Sequence, residues 1–162
     1  MKFIHALLFL SLAAVPAAAD NPYNENADAK LEINQALTQA AVSNTPVIIV
    51  FGANWCPDCK VLDLAMKNGA SASLLERDFK IVKVNVGQFD KNREVAEQYG
   101  VPLEKGIPAV AIISPKNVVL YVTKEGELAN ARSMGDPGIY EFFKRVTASM
   151  KSKTENTSPP KP

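Results

Sequence analysis

Cys56 and Cys59 are the only cysteines in 162 residues, and they stand where a strand pattern gives way to a helical one. Val47-Ile48-Ile49-Val50-Phe51 is a β-branched run of the kind that fits a strand buried on both faces. Gly52-Ala53-Asn54 breaks that run, and Pro57 suits the first turn of a helix, where its missing N–H costs nothing. Strand, short loop and Cys-x-x-Cys opening a helix is the context in which two thiols form a redox centre.

The spacing has a chemical purpose. A helix N-terminus presents unpaired N–H groups and the positive end of the macrodipole, which lowers the pKa of a cysteine placed there. Cys56 takes that place, and Cys59, one turn later on the same face, is close enough to close a disulfide with it and to resolve a mixed disulfide. Two other uses of the pair compete. Half of a zinc site needs further ligands, but no other cysteine exists and the one histidine, His5, lies in a segment expected to be removed. A purely structural disulfide across so short a loop constrains the unfolded chain little. No metal site is expected.

Residues 1–19 have the three parts of a signal peptide: Lys2, the apolar core Ala6–Val15, and Ala17-Ala18-Ala19 before Asp20. The core is too short to span a bilayer, which takes about twenty apolar residues, and no later apolar stretch is longer. The expected product is exported, most simply to a bacterial periplasm, without stable membrane insertion. Removing 1–19 takes one of the 18 basic residues and none of the 17 acidic ones, leaving seventeen of each. That balance gives no electrostatic footprint for nucleic acid. A chain of this length buries a core without staples, so its cysteines are free for chemistry.

Along the rest of the chain, Asp28 is a candidate N-cap for a helix to about Val42, stopped at Ser43-Asn44-Thr45-Pro46. The helix after Cys59 runs to Asn68-Gly69, and Ala72–Arg77 adds a turn or two. Phe79–Val86 reads as a strand, 91–99 as a helix, and Ala109–Ile113 with Val118–Val122 as a hairpin about Ser114-Pro115-Lys116-Asn117. Gly135-Asp136-Pro137 opens a last helix with Ile139, Phe142, Phe143 and Val146 inward. Residues 151–162, polar and Pro-ending, read as a disordered tail.

Trp55-Cys56-Pro57-Asp58-Cys59-Lys60, Lys83-Val84-Asn85-Val86 and Gly106-Ile107-Pro108-Ala109 resemble, in order, the three landmarks of the thioredoxin superfamily. The resemblance covers about residues 45–150 and is strongest to exported bacterial thioredoxin-like proteins, including soluble domains that relay electrons from an inner-membrane reductase. It implies an α/β, thioredoxin-like fold: a central mixed four-stranded sheet flanked by helices, with an additional N-terminal helix. The domain would be 20–150, between the signal peptide 1–19 and the tail 151–162. It also implies a thiol–disulfide oxidoreductase that needs no cofactor beyond the Cys56–Cys59 disulfide. Protein thiols and disulfides would be its substrates, an inner-membrane protein its possible electron donor, and the working form a monomer. Cys56 would attack and Cys59 resolve. Trp55, Pro57, Ile107 and a cis Pro108 would form the substrate-binding rim, with the Ile107 backbone pairing with an extended substrate.

One departure from the resemblance stands out. The buried carboxylate that such proteins carry six residues before the first cysteine, to help deprotonate the resolving thiol, is here Val50. Asp58, Lys83 or water would have to serve as the proton relay. The segment Gly126–Arg132 makes the end of the sheet longer than in the simplest thioredoxins, as a partner surface or only as a loop. No histidine stands between the cysteines, and Asp58 in that place disfavours a thiolate, which points to a reductant rather than an oxidase or isomerase. A redox-poor, peptide-binding scaffold is the reading from outside enzymology.

Overall fold

The computed structural model describes residues 21–157, with side chains as far as Met150. The expected signal peptide, 1–19, and residues 158–162 of the expected tail lie outside the described residues. Helix α1 spans Ala29–Ser43 and starts where Asp28 accepts a hydrogen bond from the Leu31 N–H. It ends at Asn44, whose left-handed backbone (φ 51°) suits a helix stop. Ile33, Ala36 and Ala40 form its buried stripe.

β1 (Val47–Gly52) is buried along its whole length because it has a neighbour on each side. It pairs in parallel with β2 (Lys80–Asn85) and antiparallel with β3 (Ala109–Ile113), and β4 (Val119–Val122) closes the order β2-β1-β3-β4. This is the expected mixed four-stranded sheet, preceded by the additional helix. A parallel β1–β2 pair requires a crossover, and α2 (Pro57–Asn68) with α3 (Ala72–Asp78) supplies it. α4 (Arg93–Gln98) and a single 3₁₀ turn, Leu103–Lys105, lead to β3.

The last helix, α5, departs from expectation at both ends. It begins at Ala131, kinks at Gly135 (φ 61°, ψ 178°) and resumes at Asp136-Pro137. Its backbone continues to Thr157, past the expected boundary at 150. Nor does Gly126–Arg132 lengthen the sheet: β4 stops at Val122, and Gly126 (φ 71°) turns the chain, its carbonyl accepting the Ala129 N–H at 2.9 Å. Leu128 and Ala131 are then sealed into the core, and Arg132 is delivered to the start of α2.

Ile139, Phe142, Phe143 and Val146 all turn inward, and α5 packs on α2. Each such side chain contributes about 1.5–3 kcal/mol by leaving water. This contact fixes the helix that carries the cysteines from its far side.

Candidate active site

Cys56 is the N-cap of α2, with Pro57 at the first helical position. Its sulfur accepts the Cys59 backbone N–H at 3.1 Å, and its Cα lies 5.2 Å from that of Cys59, with which it forms a disulfide. The N–H and the helix N-terminus both favour negative charge on Cys56 Sγ once the bond is reduced. Cys59 has neither aid: it is 0% exposed, enclosed on the inner face of α2.

Opposite the disulfide, the Ile107–Pro108 peptide bond is cis, and the Ile107 carbonyl oxygen stands 3.6 Å from Cys56 Sγ. Ile107 and Pro108 are buried and Pro57 is exposed. Trp55 is 47% exposed, with its indole N–H donating to the Gly87 carbonyl at 2.7 Å and its ring edge-on to Phe89 at 5.9 Å between centroids. The structure thus gathers Trp55, Cys56, Pro57, Cys59, Ile107 and Pro108 around one sulfur pair. Phe89, itself partly exposed with a left-handed backbone (φ 64°), joins this rim and was not foreseen. Its only sequence sign is an aromatic in a polar loop.

Asp58, beside the pair, is held by α5. Its two oxygens accept the Arg132 backbone N–H at 2.9 Å and the Arg132 Nε at 3.2 Å, with a second guanidinium nitrogen also at 3.2 Å. Burial works against the charged form, but these donors outweigh it and hold the Asp58 carboxyl below the usual carboxylate range. Arg132 therefore offsets the negative charge that Asp58 places near Cys56.

Beneath the pair is a second charged group. Lys83 on β2 bonds with its ammonium the carboxylate of Asp63, which is 4% exposed and also takes Lys67 Nζ at 2.8 Å. Val50, the register partner of Lys83, is 1% exposed on β1 and brings only methyl groups to this face. Tyr23 closes the same space. Asn54 grips its backbone from both sides, accepting its N–H at 3.0 Å and donating to its carbonyl at 2.9 Å. Gly52 is required here: a β-carbon on it would run into the Tyr23 hydroxyl and come within 2.9 Å of Cys59 Sγ. Neither Tyr23, in what reads as a lead-in loop, nor Asp63, one acid among several on an amphipathic helix, is marked in the sequence. The sign available was that Cys59 and Asp63 are four apart on one helix face.

Residues 28–115 match the thioredoxin-like family. The chain belongs to that family. A thioredoxin from Buchnera aphidicola subsp. Baizongia pistaciae is 32% identical over 90 residues, which are 56% of this chain and 73% of that protein. The crystal structure of a disulphide isomerase from Xylella fastidiosa Temecula1 is 46% identical, with a TM-score of 0.75 over 78% of this chain and 96% of the other. A thioredoxin from Thermus thermophilus, 22% identical with a TM-score of 0.50, covers 72% of this chain and 82% of its own, and shares the fold. A member of this family with a Cys-x-x-Cys pair, similar to a thioredoxin and to a disulphide isomerase, is a thiol–disulfide oxidoreductase. Such proteins use their own cysteine pair. Among the described residues, no three His, Cys, Asp or Glu side chains are grouped to hold a metal ion, and no helix is long and apolar enough to cross a membrane.

Proposed function

We propose that this protein is exported and reduces disulfides of other proteins, with Cys56 as the attacking thiolate. The observation that carries the assignment of roles is the asymmetry of the two sulfurs. Both cysteines are buried, Cys56 at 3% and Cys59 at 0% exposed, but Cys56 Sγ holds a backbone N–H at a helix N-terminus and Cys59 does not. The Cys56 thiolate adds to one sulfur of a substrate disulfide, and the other leaves as a thiolate. Cys59 then loses its proton and attacks Cys56 Sγ, closing the Cys56–Cys59 bond and expelling the second substrate thiolate. Two electrons pass from the protein to the substrate. An extended substrate would lie against the Ile107 backbone, with Trp55, Phe89 and Pro57 about it.

The direction rests on electrostatics. No cationic side chain stands between the cysteines, and the one charged group there, Asp58, is an anion compensated by Arg132 rather than a partner for the thiolate. A reduced form without that support makes the disulfide harder to reduce. Export rests on the sequence pattern of residues 1–19. In an oxidising compartment such a reductant needs recharging, and an inner-membrane dithiol donor is the partner that fits a chain acting there as a monomer.

A disulfide isomerase is the second reading, favoured by the printed name of the 46% identical relative. Equilibration of the purified protein against thiol buffers separates the two. A reductant gives a potential near about −270 mV, and acid-trapped, alkylated protein from cells is mostly reduced. A potential above about −180 mV with a mostly oxidised pool assigns it to oxidase or isomerase work instead.

A further inference from the structure

Closing the Cys56–Cys59 bond requires the Cys59 proton to leave, and Cys59 sits where water does not reach it. Burial in apolar surroundings raises a thiol's pKa, so this step needs a base inside the protein. Three acidic side chains are buried near it. Tyr23 borders the sulfur, since a β-carbon on Gly52 would meet both, which puts the hydroxyl and Cys59 Sγ within about 5 Å of each other. Burial, and secondarily the charge of Asp63, push the Tyr23 hydroxyl far up, so it is a neutral wall that excludes water and not a base. Asp58 is held against α5, where three Arg132 nitrogens crowd its two oxygens, whereas Asp63 takes one lysine on each oxygen and keeps lone pairs free.

Asp63 is the group left. It stands one helical turn after Cys59 on the inner face of α2, 4% exposed, in the space that Val50 leaves without a carboxylate. The charged and titratable groups about it come from every neighbouring element: Lys83 from β2, Lys67 from α2, Tyr23 from the lead-in segment, and Glu32 of α1 across a cavity of about 530 Å³. Lys67 and Lys83 line that cavity, so the far side of the carboxylate has a route to solvent that the cysteine side lacks.

We propose that Asp63 is the general base for Cys59, held by Lys83 and Lys67, and that it takes over on helix α2 the task for which β1 has only Val50. In the step, the Cys59 proton passes to an Asp63 oxygen while the Cys59 electron pair forms the bond to Cys56 Sγ. The bond from Cys56 to the substrate sulfur breaks, and its electron pair leaves with the substrate thiolate. The Asp63 proton then departs through the cavity between Lys67 and Lys83. In the oxidising direction the same atoms return it. The inference rests on the roles given above to Cys56 and Cys59, whichever direction dominates.

The test follows reduced full-length mature protein with oxidised glutathione as probe, by rapid acid quench and mass spectrometry, from pH 5 to 9. Formation of the Cys56–glutathione disulfide reports on the roles of the cysteines, and its release by Cys59 reports on Asp63. Asp63→Asn leaves formation within twofold and slows release about a hundredfold at pH 7, the low end of what a positioned base contributes. The deficit shrinks towards pH 9, where hydroxide takes the proton. Should Asp63→Asn not fold, Asp63→Asn with Lys83→Met removes the stranded ammonium too, and the same slowing is expected. The unaltered protein answers independently: with an internal base, release changes little between pH 6 and 8. Without one, it rises about tenfold per unit, as the thiolate fraction does. Release within twofold of the parent in a folded Asp63 variant, or that tenfold slope in the parent, overturns the proposal. Absence of any Cys56–glutathione species would instead overturn the assignment of the nucleophile.

Discussion

Placing a carboxylate at Val50 tests whether the buried charge sites are arranged as described. Val50 is 1% exposed, and across the parallel ladder its register partner is Lys83, the lysine that already holds Asp63. Val50→Asp therefore loses a buried valine, about 1.5–3 kcal/mol, and sets a second carboxylate beside Asp63 at Lys83, with Lys67 already engaged on the other Asp63 oxygen. Like charges that close force one acid to take up a proton. If that raises its pKa by about two units, the cost is a further ~2.7 kcal/mol. Alone, then, the substitution should destabilise by about 4–6 kcal/mol. In an Asp63→Asn background the repulsion is gone, and Lys83, 22% exposed and otherwise stranded, regains a partner. The double variant should thus be more stable than the sum of the single effects by about 2 kcal/mol or more. Guanidinium unfolding of the four oxidised proteins measures that coupling. Additivity within about 0.5 kcal/mol would refute the claim that Val50 and Asp63 face the same lysine.

Two further predictions concern pH. Asp58 is held below its ordinary range in the folded state, so its contribution is present above the unfolded carboxylate pKa and is lost as pH falls through the folded one. Asp58→Asn should flatten the acid limb of a stability–pH curve measured by urea midpoints, and an unchanged limb would count against the Asp58–Arg132 clamp. At the other end, burial, with the nearby charge and hydrogen bond of Glu127, pushes Tyr121 up to about 12. A raised tyrosine keeps the fold's advantage below the unfolded pKa near 10 and loses it as pH climbs towards 12, so stability should fall there, and less steeply in Tyr121→Phe.

The sheet, the helices and the rim of the site were legible because each has a local cause. The β-branched run 47–51 has room for no exposed face, and β1 is the strand with a neighbour on both sides. Pro57 and the cysteine before it announce a helix start, and Cys56 caps α2. What escaped the sequence depends on contacts between distant segments. Gly126–Arg132 looks like spare length in one dimension; folded, it carries Arg132 across to Asp58, 74 positions away. The clamp also revises the electrostatics read from the sequence, since an Asp58 paired with arginine opposes a thiolate less than a bare one. Val50 signalled a missing acid, but not where its replacement lay. Asp63 and Tyr23 become a site only when α2 is laid on β2 and the lead-in segment is drawn under Gly52 by Asn54. The kink at Gly135 was half legible: glycine and Pro137 mark a break, and the turn before it is set by tertiary contacts.

Everything proposed for this protein begins with Cys56 attacking and Cys59 resolving, and two single substitutions test that division. Cells producing Cys59→Ser or Cys56→Ser in the full-length chain are quenched in acid, alkylated and run on non-reducing gels. With Cys59→Ser, attack proceeds and resolution cannot, so mixed disulfides with client proteins should accumulate and vanish on reduction. With Cys56→Ser, the remaining thiol is buried beneath the helix start and should trap few. Equal trapping by both variants, or trapping by Cys56→Ser alone, would contradict the account.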